Sequence, residues 1–336
     1  FAHPNWRTSN FLNSFQTERA IACLNALVGS WAQPGSLQPI GGEETAGLGS
    51  IPQPAYPRTG AARLDGVPWK YPLVPLKLGV FQEMRDNIIT GQPYQAHGWF
   101  VYRQNPAQSL PDRKKTAEAM SKLDFIVTVD ISMNDTAWFS DVVLPEASYL
   151  ERYDPLAVVD GTVFIRQPAI EPLFESKPGL WIFKQLAQSL GLADWFQYED
   201  EEDYINQQLA PLGVTLDDMR ETGYIDLPAS EEAEPEYAWD TPSGKIEIFS
   251  ATLAKVGFPG VPTWDAPPEP GDGQFYLLTG KVAQATQFAS QNNQLLFKYA
   301  DEPRLWINDH VAADRGLKAD DWVEVTSEVG QVHVRL

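Results

Sequence analysis

The chain has 336 residues, enough for about two domains with a sizeable apolar core. Its composition, 43% hydrophobic and 21% charged, excludes disordered and collagen-like classes, and no apolar run approaches the roughly 18–20 residues of a membrane-spanning helix. The 25 basic and 45 acidic residues give a net charge of -20, which repels phosphate backbones and argues against a nucleic-acid-binding function.

Metal-ligating side chains are scarce in this sequence. Cys23 is the single cysteine, which excludes an internal disulfide and a multi-cysteine metal cluster within the chain. It lies between apolar neighbours, where we expect a buried and inert thiol. With four histidines in the whole chain, few ligands are available for a metal site made of histidine side chains. The chemistry must therefore come from an organic cofactor, from oxygen and nitrogen ligands, or from another piece of chain.

Both ends of the sequence predict an internal fragment of a longer protein. Phe1–Pro4 opens without an initiator methionine, a basic segment or an apolar segment, so a signal peptide is neither indicated nor excluded. The last residues predict a hairpin, Trp322–Val325 with Gly330–Val334, that ends where further strands are expected.

The first half of the chain predicts a parallel sheet covered on both faces. Apolar spacing predicts a helix over Thr17–Val28, with Thr17 as N-cap and Gly29 as its stop, and a Gly/Pro-rich loop follows over 30–72. Next come short apolar strands with a helix between the first two, a pattern typical of parallel sheets. The strands are Gly98–Tyr102, Asp124–Val129 and Val142–Leu144, and the helix is Pro111–Lys122.

The second half predicts a change of architecture. A helix over Gly179–Leu190 is followed by acidic tracts at Glu199–Asp203 and Glu231–Glu236, which we interpret as a solvated surface insertion. A Pro/Gly-rich linker over 267–273 then precedes alternating strands typical of a β-barrel, at Gln274–Leu278, Leu305–Ile307, Trp322–Thr326 and Gln331–Val334. The fold class is therefore α/β, with open parallel-sheet (Rossmann-like) domains plus the start of a C-terminal β-barrel domain.

Polar segments follow two of the predicted parallel strands. Arg103–Pro106 follows the first strand and Asp130–Ala137 follows the second. Ligands of open α/β sheets bind beyond these carboxyl ends, where Asp or Asn side chains reach a ribose or a purine edge. The alternative is that Asn105–Pro106 forms only a turn and Asp130 only a cap.

A second polar segment predicts a binding site for a neutral heterocycle. It follows a predicted strand and is dense in amide and hydroxyl side chains, which offer donors and acceptors in fixed places. A loop wetted by solvent is the alternative. Its residues are Thr279–Lys281, Thr286–Gln287 and Ser290–Gln294.

In their order and spacing these pieces resemble the catalytic subunits of the molybdopterin oxidoreductase (dimethyl-sulfoxide-reductase-type) superfamily. The run from His3 to Gly35 looks most like the polysulfide/thiosulfate reductase branch, which also holds tetrathionate, arsenate and sulfite enzymes. The segments that carry the resemblance are Arg19–Leu27, Pro34–Gly35, Asn105–Pro106, Asp124–Asp130, Asn134–Ala137, Ser140–Pro145, Thr241–Glu247, Leu278–Lys281, Gln291–Asn293 and Leu305–Asn308.

The resemblance implies a bis-molybdopterin guanine dinucleotide cofactor with molybdenum or tungsten. It also implies a [4Fe–4S] cluster in a missing amino-terminal part, an iron–sulfur electron-transfer subunit and a membrane anchor subunit. One guanosine end would be held by Asn105, Asp130, Asn134, Thr136 and Asp141. The pterins and diphosphates would be held by Thr279, Gly280, Lys281, Thr286, Gln287, Asn292 and Asn293.

The same resemblance sets the expected domains and function. We expect α/β domains over 1–190, an acidic insertion and connecting segment over 191–270, and a truncated dinucleotide-binding barrel over 271–336. The expected enzyme acts on polysulfide, thiosulfate, tetrathionate, sulfite or an arsenic oxyanion in anaerobic respiration. We expect Arg7, with His3 nearby, to provide the pocket cation that faces this anion. The periplasmic face of a membrane is favoured over the cytoplasm.

Two departures keep an alternative open. Ala285 and Ala289 stand where related sulfur-compound reductases tend to carry His and Arg. The alternative is therefore a scaffold subunit of a respiratory complex that keeps this fold without metal or pterins. An unrelated dinucleotide-binding enzyme is a third class, but the chain lacks the G-x-G-x-x-G turn of such proteins.

Overall fold

The computed structural model divides into two compact units, residues 1–264 and 265–336. It describes residues 2–3, 12–31, 35–37, 47–56, 60–159, 161–227, 239–285, 293–299 and 302–336. In this described part of the chain, no helix has both the length and the apolar character needed to cross a bilayer.

The first unit contains a parallel sheet, an antiparallel sheet and the helices around them. Its strands are β1 Gly98–Tyr102, β2 Phe125–Asp130, β3 Val142–Pro145, β4 Asp154–Val159, β5 Thr162–Arg166 and β6 Tyr224–Asp226. Its helices are α1 Ser14–Leu27, α2 Phe81–Thr90, α3 Pro106–Ser109, α4 Arg113–Ser121, α5 Asp135–Trp138, α6 Gly179–Ser189, α7 Glu201–Leu209, α8 Leu216–Met219 and α9 Ala251–Lys255.

The predicted parallel sheet is confirmed, with the strand order β1-β2-β3. Its buried cluster unites Val101 and Ile126 from the sheet with Ala107 and Met120 from α3 and α4. Helix α4 begins at Arg113 because the side chain of Asp112 accepts a hydrogen bond from the Lys115 backbone N–H at 3.1 Å. The sheet and its helix therefore follow directly from the apolar pattern.

Helix α1 begins one turn earlier than predicted. Its N-cap is Asn13, in the left-handed region with φ 61°, rather than Thr17. The buried residues of the helix are polar, and Asn25 is fastened to the backbone of Ala2 through hydrogen bonds of 2.8 and 2.6 Å. Cys23 is half-buried rather than buried, and it lines a cavity of about 450 Å³.

The first acidic tract leads into a helix, and its residues Glu199, Asp200 and Glu202 are exposed. Glu201–Asp203 form the first turn of α7, where carboxylates favour the positive end of the helix dipole. Asp200 caps this helix by accepting from the Asp203 backbone N–H at 2.9 Å. The helix then buries Ile205 and Leu209 against the antiparallel sheet β4-β5-β6. The second tract, 231–236, lies outside the described residues.

The second unit contains the predicted hairpin but no closed barrel within its described residues. Its elements are α10 Gln294–Phe297, α11 Asp309–Asp314, β7 Trp322–Ser327 and β8 Gly330–Arg335. The strand predictions at 274–278 and 305–307 are wrong for the described residues, among which neither segment joins a ladder. Alternation of apolar residues favours an extended backbone but does not supply the neighbouring strand that its hydrogen bonds need. Next to the second segment, an isolated bridge joins Arg304 and Arg335.

Candidate functional site

The carboxyl ends of β1, β2 and β3 lie at one edge of the parallel sheet. Tyr102 pairs with Val129, and Asp130 pairs with Pro145, so the three strands end nearly level. The polar residues that follow each strand therefore meet at this carboxyl edge, as the sequence predicts.

The loop after β1 is tied to the loop after β2 through buried polar groups. The side-chain oxygen of Asn105 accepts from the backbone N–H of Thr136 at 3.1 Å and from its hydroxyl at 2.8 Å. The Thr136 hydroxyl oxygen accepts in turn from the Ala107 backbone N–H at 3.1 Å. Thr136 is fully buried and donates both hydrogen bonds to the Asn105 oxygen, so these bonds hold the Asn105 side chain in place.

Asp130 presents a half-buried carboxylate at the same edge. One oxygen accepts from the backbone N–H of Ser132 at 3.1 Å, and the other accepts from the side-chain amide of Asn134 at 2.9 Å. Burial raises the pKa of Asp130, and the negative charge of Glu146 adds to this effect while hydrogen bonds from Ser132 and Ile131 oppose it. Asn134 also caps α5 by accepting from the backbone N–H of Ala137 at 2.9 Å.

A buried carboxylate after β3 adds residues that sequence reasoning missed. Glu146 has no exposed side-chain surface, and it accepts from the Tyr102 hydroxyl at 2.8 Å. The guanidinium of Arg103 donates to both of its oxygens, at 2.7 and 2.5 Å, and Arg152 lies 3.7 Å away. This hydrogen bonding raises the pKa of Arg103, while burial raises that of Tyr102. Arg103 directly follows β1 and Glu146 directly follows β3, and this position in the sequence could have identified both as candidate site residues.

Asp141, which the resemblance assigns to the guanosine site, is not brought to this edge. Asp141 directly precedes β3, and its carboxylate accepts from the backbone N–H of Ile126 at the start of β2. Because strands rise about 3.3 Å per residue, it lies roughly 13 Å along the sheet from Asp130. Its geometry fastens the beginnings of two strands together.

The remaining predicted site residues fall into two groups. Thr279, Gly280 and Lys281 are exposed in an extended segment of the second unit, and Asn293 caps α10 by accepting from the Leu295 backbone N–H at 3.0 Å. His3 is exposed next to the Ala2–Asn25 contact. The others lie outside the described residues: Arg7, Thr286, Gln287 and Asn292.

The chemistry of the carboxyl edge suits a nucleotide better than a metal ion. Within the described part of the chain, no group of three or more His, Cys, Asp or Glu side chains could hold a metal. The Asp130 carboxylate can accept from sugar hydroxyls or from purine N–H groups, and Asn105 offers an amide. Arg103 adds a guanidinium with the geometry to bind phosphate oxygens.

Comparison with protein families gives two matches. The model of the family described as molybdopterin oxidoreductase matches residues 12–189, just over half of the chain. The model of the molybdopterin dinucleotide binding domain matches residues 275–336. The two matches fall in different compact units.

Individual relatives cover much of the chain at modest identity. The molybdopterin-containing subunit PhsA of thiosulfate reductase from Salmonella typhimurium is 27% identical over 96% of this chain and 48% of its own length. The assimilatory nitrate reductase catalytic subunit of Bacillus subtilis is 27% identical over 75% of this chain and 36% of its own. The chain thus spans about half the length, or less, of these curated relatives.

A solved structure supports the fold independently. Acetylene hydratase from Pelobacter acetylenicus superposes with a TM-score of 0.61 at 21% identity, covering 75% of this chain and 36% of that one. The expected α/β fold with a parallel sheet is thereby confirmed.

Proposed function

The chain belongs to the molybdopterin oxidoreductase family, and from this premise we propose that it forms part of a catalytic subunit acting on an inorganic sulfur compound or an arsenic oxyanion. The observation that carries the proposal is the match to a thiosulfate reductase subunit along 96% of the chain. The substrate class is thiosulfate, polysulfide, tetrathionate, sulfite or an arsenic oxyanion. Electrons are exchanged through iron–sulfur clusters.

The proposed cofactor is bis-molybdopterin guanine dinucleotide with molybdenum or tungsten. The side chains of the carboxyl edge fit its nucleoside end, because Asp130 is a half-buried acceptor flanked by amide groups. When bound, this group supplies the redox and atom-transfer chemistry, while the protein supplies placement and electrostatics. Asn105 and Asp130 would orient the guanosine, and Thr136 and Asn134 would hold those two side chains in place.

The second unit would contact the rest of the cofactor. Its dinucleotide-binding match spans the polar segment from Thr279 to Asn293. Dinucleotide phosphates in a chain of net charge -20 require local donors, which backbone amides and Lys281 would supply. Thr286, Gln287 and Asn292 remain proposed members of this set.

The proposed setting is a multi-subunit respiratory complex. It comprises a [4Fe–4S] cluster outside this chain, an iron–sulfur electron-transfer subunit and a membrane anchor, at the periplasmic face of the membrane. Arg7, together with His3, would face the anionic substrate, since an oxyanion needs a fixed positive partner in a dry cleft. An Arg7→Ala variant with an unchanged kcat/KM for the anion would contradict that role.

The first experiment measures molybdenum, tungsten and guanine nucleotide in the full protein purified without air. We expect near-stoichiometric metal and about two guanine nucleotides per metal, as bis-dinucleotide ligation requires. Metal-free and nucleotide-free protein that is folded would contradict the proposal and favour the scaffold alternative.

The second experiment separates the substrate classes. Oxidation of a reduced viologen is followed with thiosulfate, polysulfide, tetrathionate, sulfite and arsenate, each at the same concentration. Nitrate and dimethyl sulfoxide serve as controls, because relatives named for them match this chain as well. Turnover confined to nitrate or dimethyl sulfoxide would contradict the sulfur or arsenic assignment while leaving the cofactor proposal intact.

A further inference from the structure

Arg103 occupies an unusual backbone position at the carboxyl edge. It is the first residue after β1, and its backbone N–H still donates to the Val129 carbonyl at 3.0 Å. Its φ is 53°, in the left-handed region that a side chain with a Cβ adopts only at a cost. This arrangement persists only where the surrounding contacts hold it.

Glu146 provides those contacts across the central strand. Its backbone N–H donates to the Asp130 carbonyl at 3.0 Å, so Arg103 and Glu146 flank the end of β2 from opposite sides. The guanidinium spans this gap and meets the carboxylate side-on through Nε and Nη2. A bidentate contact of this kind fixes the plane of the guanidinium.

The guanidinium of Arg103 also lies over the Tyr102 ring, 4.8 Å from its centroid, so what the described residues leave unused is its Nη1 edge. Nη1 of Arg103 has no hydrogen-bond partner among them, and 42% of the side chain is exposed although Glu146 is completely buried. The second arginine near Glu146 is differently placed. Arg152 is buried and donates to Asp154 and to the carbonyl of Ala147. Arg103 is therefore the arginine of this pair that can reach a ligand.

We propose that Arg103 binds a phosphate group of the nucleotide at the carboxyl edge, with Glu146 as the residue that positions it. This inference rests on the proposed function, because it presupposes a guanine nucleotide at this edge. The guanidinium donates through Nη1 to a phosphate oxygen while Nε and Nη2 stay on Glu146. Asp130 ends the neighbouring strand. Its carboxylate can accept from sugar hydroxyls, while the Arg103 guanidinium donates to the phosphate.

The experiment compares the binding of GDP and of guanosine to cofactor-free full protein by calorimetry. Arg103→Gly removes the charge and suits a φ of 53°. Arg103→Lys keeps the positive charge but loses the planar, two-pronged set of guanidinium N–H donors. The double variant Arg103→Gly with Glu146→Gln avoids leaving a buried carboxylate unpaired. Arg220→Ala is the matched control, since Arg220 is 38% exposed and is held by Glu202 and Asp217.

We expect wild-type protein to bind GDP more tightly than guanosine. Losing a charge-assisted hydrogen bond should weaken GDP binding about 10- to 100-fold in Arg103→Gly and in the double variant, while guanosine binding stays unchanged. Arg103→Lys should retain part of the preference for GDP, and Arg220→Ala should retain all of it. Thermal unfolding of each variant verifies that it is folded.

Two results would overturn the inference in distinguishable ways. If GDP and guanosine both bind and Arg103→Gly keeps the wild-type preference for GDP, then the phosphate role fails while the nucleotide site stands. If wild-type protein binds neither ligand, the nucleotide site at this edge fails and the role of Arg103 fails with it.

Discussion

The side-chain oxygen of Asn105 accepts two hydrogen bonds from one residue, Thr136, through its backbone N–H and its hydroxyl. Asn105 follows β1 and Thr136 lies in the short helix after β2, so this contact joins two loops that are 31 residues apart in sequence. Because Thr136 is fully buried, water cannot replace its partners. These hydrogen bonds fix the position of the Asn105 side chain at the carboxyl edge.

Thr136→Val is expected to destabilise the protein by about 1–3 kcal/mol, because the variant leaves the Ala107 N–H buried without an acceptor and removes one donor to Asn105. The free energy of unfolding in urea measures the change. Thr136→Ser keeps the hydroxyl and is the control, with a smaller expected loss. A loss confined to Thr136→Ser, with Thr136→Val as stable as wild type, would mean that packing of the methyl group, rather than the hydrogen bonds, stabilises this edge.

Gly179→Ala is expected to destabilise the protein although alanine favours helices. A Cβ at this position would lie 2.4 Å from the Tyr102 hydroxyl and 2.7 Å from a carboxylate oxygen of Glu146. Moving these buried groups costs about 1–3 kcal/mol, more than the roughly 1 kcal/mol that alanine contributes inside a helix. Gly330→Ala, whose Cβ meets nothing within 4 Å, is the control for thermal unfolding. A Gly179→Ala variant as stable as wild type would contradict the close approach.

Asp130→Asn and Asp141→Asn test which edge of the sheet holds the nucleotide. Asp130 lies at the carboxyl ends of the strands, while Asp141 accepts from the Ile126 N–H at the opposite ends. We expect Asp130→Asn to lower the guanine nucleotide content of purified protein about tenfold, since one lost charged acceptor corresponds to about 1.4 kcal/mol or more. Asp141→Asn should keep its nucleotide. The reverse pattern would place the nucleotide at the other edge.

Glu201 is expected to make the stability of the protein depend on pH. One of its oxygens is buried without a hydrogen-bond partner among the described residues, and burial raises its pKa from 4.5 to about 7. Arg152 opposes this shift, whereas Asp154 and Asp200 add to it. Between these two pKa values the folded state binds more protons than the unfolded state, so the free energy of unfolding falls as pH rises towards 7 and then levels.

Glu201→Gln removes this dependence, because the amide does not ionise. Because the Glu201 carboxyl is partly exposed and solvent screens part of the effect, we expect the variant to gain only about 1–2 kcal/mol relative to wild type between about pH 5 and pH 8. Urea unfolding at each pH measures the difference. Glu118→Gln, on the exposed face of α4, is the control. A stability difference between Glu201→Gln and wild type that stays constant across this range would contradict the raised pKa.

Local patterns predicted the elements whose formation depends on nearby residues. The apolar runs after His97 and Leu123 gave β1 and β2, and polar residues directly after them gave the carboxyl edge, because strand direction places such residues at one end of the sheet. Local patterns do not identify which strand a segment pairs with. Alternation at 274–278 predicted a strand, but the hydrogen bonds of a strand require a neighbour that the pattern does not specify.

The sequence by itself determined the parallel sheet, the position of Asn105 and Asp130 at its carboxyl edge, and the resemblance to one family. Only the tertiary structure decided that Asp141 lies at the other edge and that acidic Glu201 begins a core helix. It alone showed that Glu146 is buried against Arg103 and Tyr102. The reason is physical: periodicity reports which face of an element is apolar, whereas the partner of a charged group depends on contacts between residues far apart in the chain.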